Sequence, residues 1–166
     1  LIVGALPWMA FCDGLSRGMN SLIDAGGVLQ KNPLPPILFP TRAVLASTLV
    51  YAPLMFIVVL LYFPLHQGAL SLVAIGPLMM FQIALVASLA YALAILAAAL
   101  RDTVQMVGFM LSVGIYLSPA LFPLSMFPEA WRWVLWANPM TASIVGFQSI
   151  LLQGQWPEPM VWLANV

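Results

Sequence analysis

The chain has 166 residues, 63% of them hydrophobic and 6% charged, with five basic and five acidic side chains and a mean hydropathy of +1.04. Soluble domains carry roughly 25% charged residues, and residues 43–100 contain no Asp, Glu, Lys or Arg. A water-soluble globule of this length cannot cover such a run, so the chain is an integral membrane protein. Its balanced charge offers no basic footprint for nucleic acid.

A helix needs about 20 apolar residues to cross the hydrocarbon core. Residues 2–25 are the first such stretch, interrupted by Asp13 and Arg17, with Asp24 at the far end. Asp13 and Arg17 stand one turn apart on a single helix face. Their spacing predicts an intramembrane pair, which lowers the cost of burying either charge. The following connection, 31–40, carries Pro33, Pro35, Pro36 and Pro40 yet stays apolar. A stiff apolar connection suits either docking against another protein or lying in the membrane interface.

Residues 43–63 form an uninterrupted span. The next loop holds His66, the single histidine, with no Asp, Glu or Cys near it in sequence. It is read as a solvated loop residue rather than a ligand or base. Residues 70–100 exceed what an upright crossing needs, so Gly76-Pro77 is expected to kink or break the helix near its start. Small residues recur at one-turn spacing here, as Ala84, Ser88 and Ala92 on one face and Ala90, Ala94 and Ala98 on another. Such columns let helix backbones approach closely, within a subunit or across a dimer.

Arg101-Asp102 marks either a membrane boundary or a contact with a cytoplasmic partner. Residues 103–127 make a fourth apolar stretch, with Pro119 and Pro123 disturbing its far end. Beyond it Trp131, Trp133 and Trp136 cluster beside Arg132, as an interfacial aromatic belt does. Asn138-Pro139 then divides the charge-free run 133–157. Residues 140–153 amount to roughly 21 Å of helix, too short to span, so 128–153 is read as two short helices re-entering the membrane from one side. Residues 160–166 open a further span. Lys31, Arg42 and Arg101 put the first and third connections in the cytoplasm and the second outside by the positive-inside rule, with Arg132 the exception.

No HExxH, GxSxG, CxxC, GxGxxG or GxxxxGK[ST] pattern occurs, so the chain does not hydrolyse nucleotide by a phosphate loop. The single Cys12 has no partner for an internal disulfide or a Cys-based metal site. Neither a metal nor a cofactor is expected on this chain.

Several short motifs in order resemble the permease subunit of ABC type-2 exporters, in the branch that exports polysaccharides and polyol phosphates. Leu6-Pro7-Trp8, Phe11 and Asn20-Ser21-Leu22-Ile23 are similar to that family's second span. Lys31 with Leu34-Pro35 and Pro40 resembles the stretch that follows it. Arg101-Asp102 is similar to the pair that closes the fourth span. Ser118-Pro119, Phe127-Pro128 and Asn138-Pro139-Met140-Thr141 resemble the fifth span and the external hairpin. Three positions depart from the pattern: Val145 and Gln148 stand where the family commonly has Glu and Arg, and Pro36 stands where a basic residue is common.

The resemblance implies an all-α polytopic bundle holding the second to fifth spans, a short re-entrant external hairpin and the start of the sixth. The chain begins with Leu, and an N-terminal amphipathic helix and the first span are expected to precede it. The resemblance further implies a homodimer in the cytoplasmic (inner) membrane, surrounded by membrane lipid. Two separate ATPase subunits would use ATP and Mg to drive a lipid-linked glycan outward. Lys31, Leu34, Pro35, Arg101 and Asp102 are the expected ATPase contacts. Sugars stack on aromatic faces, which makes Tyr91, Tyr116, Phe122, Trp131, Trp133 and Trp136 the expected substrate path and outer gate. Two other readings stay open: a sibling permease for drugs or small amphiphiles, and a membrane enzyme acting on lipid-linked substrates.

Overall fold

The computed structural model describes residues 2–31, 34–63, 70–121 and 132–165. Those residues are helical or irregular, with no strand among them. The helices are α1 (Ile2–Asp24), α2 (Gly26–Leu29), α3 (Leu38–Tyr62), α4 (Leu70–Val73), α5 (Ile75–Ala99), α6 (Asp102–Gly114), α7 (Arg132–Trp136), α8 (Thr141–Gln153) and α9 (Pro159–Asn165).

Two helices among the described residues are long and apolar enough to cross a membrane, Leu38–Tyr62 and Ser71–Ala99, the latter counting α4 and α5 as one. α1 matches them in length with 23 residues but carries Asp13 and Arg17 inside it. α3 starts at Leu38, ahead of the charge-free run, because Pro40 falls in its first turn, where a missing N–H costs nothing. The break expected near Gly76-Pro77 falls at Ala74. Pro77 has no N–H to give the Val73 carbonyl, so the helical ladder is interrupted there and restarts with Pro77 in the first turn of α5.

α1, α3 and α5 form the centre of the bundle, with α1 packed most extensively on the other two. α1 and α5 run in the same direction, since Pro7 meets Gln82, Gly14 meets Val86 and Gly18 meets Ala90. α3 runs against both, with Ser47 beside Gly14 and Val44 beside Gly18. The close approach depends on absent side chains. A Cβ on Gly18 would stand 2.5 Å from the Ala90 Cβ, and one on Gly14 would stand 2.7 Å from Val86 Cγ1. On α5 the buried column is Gln82, Val86, Ala90, Ala94 and Ala97. Ala98, expected in that column, is exposed, because one 3.6-residue turn beyond Ala94 points nearer to Ala97. Ala84, Ser88 and Ala92 face outward.

The alternation gives the bundle two ends. One holds α2, the start of α3, the end of α5 and Arg101. The other holds the start of α1, the end of α3, the start of α5, and α8. There Val3, Met55, Val58, Leu78, Phe147, Ile150 and Val161 pack as one cluster. Trp8, Phe11, Leu15, Val44, Val86, Ala90 and Ile144 make a second cluster towards the middle.

The fourth apolar stretch is helical to Gly114; residues 115–121 form turns, and 122–131 lie outside the described residues. Pro119 lacks the N–H that would answer the Ile115 carbonyl and disfavours helical backbone at Ser118. The Ser118 hydroxyl donates to that carbonyl instead, at 3.0 Å. α7 and α8 are two short helices parted at Asn138-Pro139, where the Asn138 side chain accepts from the Met140 N–H at 3.0 Å. The Thr141 hydroxyl donates to the Leu135 carbonyl and closes the turn. α8 is buried along most of its length. It stops at Gly154, whose φ of 66° suits glycine, and its N–H reaches the Ile150 carbonyl.

Candidate functional site

α1 is the one long helix with a polar side. Its Gly14–Gly18 edge is pressed onto α5 and α3, which turns Asp13, Ser16, Arg17, Asn20 and Asp24 away from the packed core. Arg17 Nε donates to both oxygens of Asp13, each at 2.8 Å. The pair is accessible, with side-chain exposures of 57% for Arg17 and 24% for Asp13. Asn20 donates to the Ser16 carbonyl at 2.9 Å. Ionisable side chains at membrane depth face other protein or a wet cavity, because hydrocarbon cannot solvate them.

Two clefts flank it. One, of about 350 Å³, lies between α1 and α6 and is lined by Trp8, Met9, Cys12, Ser16, Gly108 and Ser112, among others. Trp8 reaches this region because Gly114 leaves room: a Cβ there would stand 2.8 Å from the indole ring. The other, of about 440 Å³, lies between the end of α1, α2 and the start of α3, with Arg17, Asp24 and Arg42 on its walls. Among the described residues no group of three His, Cys, Asp or Glu is placed to hold a metal ion.

Lys31, Leu34, Pro35, Arg101 and Asp102 are all exposed and sit at the same end of the bundle. Pro35 and Pro36 accept the N–H groups of Leu38 and Phe39, so the apolar connection runs straight into the first turn of α3. The aromatic candidates do not form one set. The Tyr91 hydroxyl is 3.1 Å from that of Thr41, tying α5 to the first turn of α3 at the Arg101 end. Tyr116 is 66% exposed in the turns after α6, and Trp133 is 69% exposed on α7. Trp136 is half-buried on α7, beside α8. Phe122 and Trp131 lie outside the described residues, as does His66.

The positions where the motif pattern commonly has Glu and Arg are structural in this chain. Val145 packs on the cluster around Phe147. Gln148 Nε2 donates to the Pro119 carbonyl at 2.7 Å, pinning α8 to the turns after α6. Gly4 sits directly beneath this junction, where a Cβ would meet the Ala120 carbonyl at 2.5 Å. Sequence reading also passed over Gln82, a buried amide donating to the Pro7 carbonyl at 2.9 Å, and the Gly14/Gly18 edge. The four-residue spacing of the two glycines was the available signal for the latter.

The bundle thus has a polar-faced helix at its centre, exposed charges at one end and the buried α8 at the other. The ABC-2 type transporter family model matches residues 1–152, and the chain belongs to that family. Among curated proteins it is similar to an O-antigen export system permease protein of Myxococcus xanthus, 28% identical over 175 residues. That alignment covers all of this chain and 66% of the relative. A Klebsiella pneumoniae protein of the same name is 24% identical over 161 residues, covering 93% of this chain and 60% of the relative. The chain thus spans less than two thirds of the length of these relatives.

Proposed function

We propose that this chain is the greater part of the permease subunit of an ATP-driven exporter that moves a lipid-linked polysaccharide or related polymer out across the cytoplasmic membrane. The observation that carries the reading is the family match over nearly the whole chain, joined to relatives whose names are O-antigen export permeases. Permeation itself is no covalent chemistry, and ATP and Mg belong to a separate ATPase subunit. A second copy of the permease completes the pathway.

The geometry supports this division of labour. The wet path follows the polar side of α1, where Asp13, Ser16, Arg17 and Asn20 are turned out of the core and would face the second copy across water. Charged and amide groups there solvate sugar hydroxyls without a deep pocket, which suits a polymer that must keep moving. Tyr116, Trp133 and Trp136 stand at the opposite end from Arg101 and serve the outer gate, together with Phe122 and Trp131. Tyr91 serves the α3–α5 seam, next to the end that meets the ATPase. Lys31, Leu34, Pro35, Arg101 and Asp102 form that contact, which places their end in the cytoplasm in agreement with the distribution of positive charge.

The test is co-purification of the full-length permease with a co-expressed ATPase subunit from mild detergent. The wild-type permease is expected to retain the ATPase, and Lys31→Glu or Arg101→Glu to weaken it. Failure of the wild-type permease to retain any ATPase would contradict the exporter reading.

A further inference from the structure

The cleft of about 440 Å³ at the end of α1 adds to Arg17 a second cation, Arg42, that the proposed polymer path does not use. Two guanidinium groups reach it, from Arg17 on α1 and Arg42 on α3. Arg17 spends its Nε on Asp13, and its terminal nitrogens make no hydrogen bond among the described residues. Arg42 is exposed and has no ion pair among the described residues. Guanidinium forks match phosphoryl oxygens in geometry and bind them by paired, charge-assisted hydrogen bonds. The remaining wall includes Val28, Phe39 and Ala46, all apolar, and Asp24, which opposes an anion.

The position of the cleft decides between a soluble anion and a lipid. Arg42 is the last charge before the charge-free run 43–100, so it stands where the hydrocarbon core begins. From Arg42 an exposed column continues along one face of α3 through Ala46, Leu49, Pro53 and Ile57, at helical spacing. An apolar chain attached to a phosphoryl group in the cleft would lie along that column. A water-soluble phosphate would leave it unused.

We propose that this cleft binds the phosphoryl headgroup of a membrane lipid, with Arg17 and Arg42 as its ligands and the outer face of α3 as the track for its tail. The proposal rests on α1 and α3 being membrane helices and not on the identity of the exported cargo. Asp24 sets the affinity by repulsion, so the site is tuned to release its lipid rather than to hold it.

The full-length permease, purified in detergent without ATPase or cargo, is titrated by native mass spectrometry with phosphatidic acid, with diacylglycerol of the same chains, and with glycerol phosphate. Phosphatidic acid is expected to bind about tenfold more tightly than diacylglycerol, the scale of one charge-assisted hydrogen-bonded contact. Arg42→Gln removes most of that preference, Asp24→Asn increases it, and Glu158→Gln, beside α9, leaves it unchanged. Should Arg42→Gln not fold, Arg42→Lys keeps the charge but loses the fork, and a reduced preference is expected. Equal binding of phosphatidic acid and diacylglycerol overturns the proposal, as does an Arg42 variant indistinguishable from wild type. Displacement of phosphatidic acid by glycerol phosphate at equal concentration overturns the lipid assignment in favour of a free phosphate site. Because ATPase and cargo are absent, none of these outcomes depends on the exporter reading.

Discussion

Asp13 and Arg17 show how one residue pair serves two demands. A lone charge on α1 would be costly at membrane depth, whereas an ion pair in which Arg17 Nε is shared by both Asp13 oxygens is cheaper to place and, in the proposed path, leaves the guanidinium's terminal nitrogens for water. Removing either partner leaves the other uncompensated, which costs more than removing both. Asp13→Asn and Arg17→Gln are each expected to lower the thermal unfolding temperature of the detergent-solubilised permease. The double variant is expected to lie above the sum of the two losses; strict additivity would show that the pair is not coupled. This pairing was legible because it needs only helical spacing. The role of Gln148 was not, since its partner, the Pro119 carbonyl, stands on a different segment and comes near only when α8 folds against the turns after α6. Where the motif pattern has charge, this chain substitutes a neutral hydrogen bond and a packed valine.

At the level of elements, α1 matters most as a helix that can be approached. Gly14 and Gly18 bring its backbone against α5 and α3, and that contact fixes which side of α1 is left for the polar residues. Gly18→Ala is expected to force the α1–α5 seam apart at a cost of about 1–3 kcal/mol, the usual scale of overpacking. Gly27→Ala, with nothing within 4 Å of the added methyl, is the matched control and is expected to be neutral. Unfolding by denaturant in micelles reads both; a Gly18 variant as stable as the Gly27 one would refute the close packing. That 43–63 and 70–100 would be mostly helical was legible because a long charge-free run has one stable answer in a bilayer, though α3 begins earlier, at Leu38, and the second run breaks at Ala74. The end of α6 was not. Apolar composition reads the same in a helix and in turns, and only the hydrogen bonding around Pro119 separates them. The Ala97 register was lost for a similar reason, since strict four-residue spacing drifts from the true helical period.

For the whole molecule, the alternating directions of α1, α3 and α5 sort its chemistry by end. Exposed Lys31, Leu34, Pro35 and Arg101 stand at one end; the buried α8 and the tryptophans of α7 stand at the other. Loop charges suggested this polarity from sequence, and the helix directions provide it independently. What sequence could not show was that the described aromatic candidates, Tyr91 on one side and Tyr116, Trp133 and Trp136 on the other, would divide between ends, because nothing in residue type reveals that Tyr91 would be held by Thr41. The proposed function requires the Leu34 end of the bundle to be the one that meets the ATPase. Site-specific photocrosslinking tests that most directly: a photoreactive residue is placed at Leu34, or at Trp133, in the full-length permease co-expressed with its ATPase. An ATPase adduct is expected from position 34 and none from position 133. An adduct from position 133, or none from position 34, would contradict the proposed function.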